Sequence, residues 1–120
     1  MASGARPGAN AALNAVAAED LRWQNAADDA RPAAAAKVRE QVVRFAKAVD
    51  VLVNVRPPEA GRATYRSVAA VYQEMADTLV ALPEALIVSD TNSAAAIWQR
   101  LSLLSDEAAS FARLAAPVAP

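Results

Sequence analysis

The chain predicts an all-α fold, a four-helix antiparallel bundle of up-down-up-down order, and three observations lead there. First, Tyr65, Val68, Tyr72, Met75, Leu79 and Leu82 recur at spacings of 3, 4, 3, 4 and 3, which draws one apolar stripe along a helix. Second, Val38, Val42, Phe45, Val49 and Leu52 repeat that pattern, as do Ile97, Leu101, Leu104, Ala108, Phe111 and Ala115. Third, prolines fall between these stretches and leave only short connectors, which bring consecutive helices back antiparallel. A helix that is apolar on one face must bury that face, so three stripes ask for one shared core.

The elements follow in order. Residues 1–9 hold two of the three glycines and Pro7, and read as a flexible N-terminal arm. Asn10 is a plausible cap for a first helix to about Ala30, with Leu13, Val16, Ala17, Leu21 and Trp23 as an irregular apolar face. Asp20 interrupts it, falling at stripe spacing between Val16 and Trp23. Pro32 suits the first position of a second helix, which runs to about Val53 and stops before Arg56-Pro57-Pro58. A third helix is expected from Pro58 to Leu82, ended by Pro83, and residues 83–91 form a connector with room for one helical turn. Asp90, Thr91, Asn92 and Ser93 offer four caps in a row for a fourth helix to about Ala115. The domain is thus expected over residues 10–116, with a tail at 117–120. Helices of about 22 residues would make it about 33 Å long.

A chain of 120 residues suffices for one core without disulfides or metals, and 33 of its residues are alanine. Alanine favours helix and fills little volume, so the helices should approach closely and leave little enclosed space. Net charge is −1, which gives no global attraction to nucleic acid or anionic membrane. Its distribution is uneven: −2 over residues 1–30, +5 over 31–66 and −4 over 67–120. No window is long and apolar enough to span a membrane. The opening residues make a poor signal peptide, and the compartment is left open, since a removed leader would leave the same sequence.

The missing residue types restrict chemistry. There is no histidine and no cysteine, which removes the common nucleophile systems, the near-neutral acid–base group and thiolate metal sites. Three glycines, at 4, 8 and 61, cannot build a phosphate-cradling loop or a dinucleotide fingerprint. No cofactor or metal is therefore called for, and the chain does not read as an enzyme. Glu74 with Asp77, and Asp106 with Glu107, are better taken as solvated carboxylates than as cation ligands. Lys37, Arg39, Arg44 and Lys47, followed by Arg56, Arg62 and Arg66, could touch phosphates. No aromatic is interleaved to stack a base, so nucleic acid is disfavoured as a partner.

Two functional expectations follow. One is a non-enzymatic interaction or structural module, joined to a protein partner or to copies of itself. Its interface would be an apolar patch of Trp98, Val51, Val55, Ile87 and Val88, which have no assigned place in the stripes. The other is a small-molecule sensing or carrier bundle with a pocket lined by Trp23, Tyr65 and Tyr72.

Overall fold

The computed structural model describes the backbone of residues 2–115 and the side chains of residues 8–111. It is all-α. Four long helices, α1 (Ala2–Asn25), α2 (Arg31–Asn54), α3 (Arg62–Leu79) and α5 (Thr91–Ala115), are joined by short connectors, and a six-residue helix α4 (Leu82–Ile87) follows α3. The β-branched tail of α2, Val51 to Val53, continues the helix to Asn54, and no strand occurs among the described residues.

Helix α2 sits at the centre, packed against α1, α3 and α4, while α3 and α4 both pack on α5. The cross-section is 22 × 20 Å, about two helix diameters each way. Trp23 near the end of α1 shares a cleft with Thr91 and Ala94 at the start of α5. Tyr65 near the start of α3 donates a hydrogen bond to the Leu52 carbonyl near the end of α2, at 2.7 Å. These juxtapositions run in the sense that an up-down-up-down path requires. The 53 Å length exceeds the expected 33 Å by more than the two or three extra residues of α1, α2 and α5 account for at about 1.5 Å each.

The stripes form the core. On α2 the buried residues are Ala35, Val38, Val42, Phe45, Val49 and Leu52. On α3 they are Val68, Ala69, Val71, Tyr72, Met75, Ala76 and Leu79. Leu101, Leu104 and Ala108 are buried on α5, with Ile97 and Phe111 partly so. The buried Tyr72 phenol donates to Asn10 Oδ1 at 2.6 Å, tying α3 to α1 across 62 residues of sequence.

Four expectations need correction. The helix starts at Ala2, so residues 2–9 continue α1 instead of forming the expected arm; Met1 and the tail at 117–120 lie outside the described residues. On α1, Ala17 and Leu21 are exposed, and Glu19 and Asp20 take the inner face with Val16 and Trp23. Helix α3 starts at Arg62 and not at Pro58, because Gly61 adopts a left-handed φ of 81° that no helix interior accepts. It also stops at Leu79, and Pro83 opens α4 instead of merely ending the helix before it.

The corner between α4 and α5 is closed by hydrogen bonds. Asp90 N–H donates to the Ala85 carbonyl and Ser89 N–H to the Leu86 carbonyl, with Ser89 left-handed at φ 56°. That is a Schellman closure with serine where glycine is usual. Of the four candidate caps, Asp90 does the work: it accepts from Ser93 N–H at 3.0 Å and from Ser93 Oγ at 2.6 Å. Those two bonds hold its carboxyl below the ordinary value of 3.8. A depressed carboxyl stabilises the fold above its unfolded pKa and loses that contribution as pH falls through the folded one. Asp90→Ala should therefore melt below the parent at pH 7, with the gap closing as both are acidified below 3.8. Thermal scans from pH 7 to pH 2 check this; a gap independent of pH would assign the cap no charge-assisted part.

Candidate functional site

The predicted apolar patch is divided by the fold. Ile87 and Val88 stand at the end of α4, 58% and 73% exposed, whereas Val51 is 59% exposed near the end of α2. The two groups are separated by the length of α3, about 27 Å for 18 residues at 1.5 Å each. Val55 is half-buried beside Val51's end of the bundle. Trp98, on the first turns of α5, belongs with Ile87 and Val88 and is itself half-buried.

The three residues of the predicted pocket are likewise separated. Tyr72 is buried in the core with its hydroxyl spent on Asn10. Tyr65 lies at the α2–α3 turn, and burial pushes its phenol above the ordinary tyrosine value. Trp23 lies at the other end. Trp23 and Tyr65 line separate clefts at opposite ends, because the stripes that suggested a shared lining place these residues along the whole bundle.

Two regions remain. At the α4 end, Trp23 walls two open clefts. The larger, of about 600 Å³, is completed by Asp28, Arg31, Pro32, Leu86 and Ile87. The smaller, of about 280 Å³, lies between Trp23, Asp20 and Leu86 on one side and Thr91, Ala94 and Trp98 on the other. The Arg31 guanidinium sits 4.7 Å from the Trp23 ring centroid, a cation–π contact that fixes the indole from the solvent side.

This end also carries polar atoms that the chain leaves unpaired. Trp23 Nε1, Trp98 Nε1, Arg31 Nε and Glu19 Oε2 are all buried without a hydrogen-bond partner among the described residues. The other Glu19 oxygen pairs with Arg22, and Asp20 accepts from Gln24 Nε2 at 2.8 Å. Buried polar atoms are normally paired, so their concentration here marks the least self-sufficient part of the core. Sequence reasoning flagged Trp98 but missed Glu19 and Arg31; the interruption of the α1 stripe at Asp20 was the available signal.

At the α2–α3 turn, a cleft of about 650 Å³ is bordered by Arg56, Arg62 and Arg66. The rest of its lining mixes apolar Val53, Val55, Pro57 and Ala69 with the amides of Asn54 and Gln73. The two carboxylates singled out on α3 are engaged locally. Glu74 accepts from Arg100 Nη2 at 3.1 Å, joining α3 to α5, and Asp77 accepts from Gln73 at 3.2 Å. Among the described residues no three acidic, histidine or cysteine side chains gather as metal ligands, and no helix is long and apolar enough to cross a membrane. No family model, curated protein or solved structure matches the chain.

Proposed function

We propose that this chain is a non-enzymatic interaction module that engages another protein through the corner where α4 meets α5. The observation that carries the reading is the pair Ile87 and Val88, exposed by more than half at the lip of the cleft walled by Trp23 and Leu86. Aliphatic side chains placed in water beside an aromatic-walled cleft offer what interface hot spots use, a rim to cover and a pocket for an anchor residue. Trp98 forms the far wall of the neighbouring cleft and would be covered by the same contact. The short α4 presents this surface on a turn rigidified by the Schellman closure and the Asp90 cap. An enzyme built without histidine or cysteine would need converging polar groups in a cleft, and the carboxylates Glu74 and Asp77 are instead paired on the outer surface.

A photo-crosslinking amino acid at position 88 or 87, introduced into the chain in its native cells, tests the reading. The expected result is one discrete adduct, formed at both positions and lost with Trp98→Ala. Control positions Arg39 and Glu107, exposed on the polar sides of α2 and α5, should give none. A ladder of weak adducts common to all four positions would overturn it. An adduct of twice the chain's mass would make the partner a second copy.

A further inference from the structure

We propose that the cleft at the α2–α3 turn is a binding site for a small organic oxyanion, a phosphate monoester or carboxylate carried on an apolar body. Three guanidiniums border it, contributed by both sides of the turn: Arg56 from the connector, Arg62 and Arg66 from the first two turns of α3. No carboxylate lines the cleft with them. Arg56 and Arg66 make no hydrogen bond to any described residue, and Arg62 reaches only the Pro57 carbonyl, at 3.5 Å. Three like charges around one hollow repel one another, and an anion seated between them relieves that repulsion while gaining charge-assisted hydrogen bonds.

The residue type narrows the ligand. All three cations are arginine. A guanidinium offers a planar fork that matches the oxygens of a carboxylate or phosphate two at a time, which an ammonium does not. The N-terminus of α3 adds to the field, since it has no acidic residue in its first turn and no side-chain cap. Beside the cations the lining includes the apolar Val53, Val55, Ala69 and Ala70, together with the amides of Asn54 and Gln73. At about 650 Å³ the hollow is of the size that takes a small molecule. An extended polyanion fits less well, because none of α2's basic residues lines this cleft and its walls offer no stacking platform beyond Tyr65.

The turn is also held in place before anything binds. Tyr65 Oη donates to the Leu52 carbonyl at 2.7 Å, so the first turn of α3 is pinned to the last turn of α2. Gly61, left-handed at φ 81°, sets the direction in which α3 leaves the turn. Arg62 and Arg66, four apart, therefore project from one pinned helical face.

Titration of the full chain with phenyl phosphate, followed by calorimetry and by amide shifts, tests the site. Phenyl phosphate should bind and move the resonances of Val53, Ala69, Ala70 and Gln73. Benzoate should move the same set, and benzyl alcohol, which has the ring without the charge, should not. Arg66→Gln should weaken binding about tenfold, and the Arg56→Gln/Arg62→Gln/Arg66→Gln chain should lose it, each with a melting curve no lower than the parent's because these side chains are exposed. Raising the salt from 0.02 to 0.5 M, values on the order of those that span weak and strong screening, should lower the affinity severalfold. The proposal is overturned if none of the oxyanions shifts those resonances. It is equally overturned if the triple variant binds as well as the parent, or if inorganic phosphate binds as tightly as phenyl phosphate, which would leave the apolar walls without a role.

Discussion

Phe45→Ala is expected to lower the stability of the fold by about 3–5 kcal/mol, which for a chain of this size is a fall of roughly 10–20 °C in the thermal midpoint. Phe45 is the largest of the side chains that are fully buried, and it lies midway along α2, the helix that packs against three others. Removing a buried ring costs both the transfer of its surface and the void left behind, and the void term depends on how far neighbours can relax. Relaxation is restricted here by composition. The buried positions of α2 and α3 include Ala35, Ala69 and Ala76, whose single methyl groups cannot reach into a hole. Phe45→Leu should recover about half of the loss, since it restores most of the volume. Urea and thermal unfolding followed by circular dichroism measure both variants. A loss below about 1 kcal/mol for Phe45→Ala would mean that the core collapses easily around the site, contrary to the stiffness argued from alanine.

Trp23 should separate two effects that a single substitution confuses. Trp23→Ala removes a nearly buried indole, the stacking partner of Arg31 and the wall between two clefts, and is expected to cost about 3–5 kcal/mol. Trp23→Phe keeps a ring under the guanidinium and deletes the buried, unpartnered Nε1–H. Losing an unpaired buried donor is favourable while losing some ring area is not, so the net change should stay within about 1 kcal/mol. The two unfolding curves, compared with the parent, check the partition. A Phe variant as damaged as the Ala variant would show that the indole nitrogen is engaged after all.

The helices that were easiest to read were those whose inner face is purely apolar. Over α2 the expected bounds, 32–53, differ from the observed 31–54 by one residue at each end, and every stripe residue from Val38 to Leu52 is buried. Helix α1 was hard to read because Glu19 and Asp20 occupy its inner face, so hydrophobicity has no clean period there. Ala17 and Leu21 looked more like core than the two acids did. Backbone conformation was the other gap. Neither the left-handed Gly61 that delays α3 nor the left-handed Ser89 that closes the α4 corner is dictated by apolar spacing.

The candidate surfaces were legible only in part for a related reason. Periodicity assigns faces one helix at a time and is silent on which ends meet. Val51 and Val55 were therefore grouped with Ile87 and Val88, although the length of α3 stands between them. Arg56, Arg62 and Arg66 were visible as a basic run, but the hollow between them exists only once Gly61 has turned the chain.

The pattern of neighbours makes α1 a separable unit of this bundle. Among the described residues, α2 packs closely with three elements and α3 with three, but α1 packs closely with α2 alone. Its reach to the far side of the bundle is the Tyr72–Asn10 hydrogen bond and the cleft it shares with α5. The face it must give up to leave includes Glu19 and Asp20, whose return to water offsets part of the cost of exposing Val16 and Trp23. Partial unfolding of such a molecule proceeds by contiguous units. The α1–α2 interface is the most extensive in the bundle, so α1 opens as one whole helix or not at all, and when it does it bares the corner proposed for partner binding while leaving the arginine-lined turn intact.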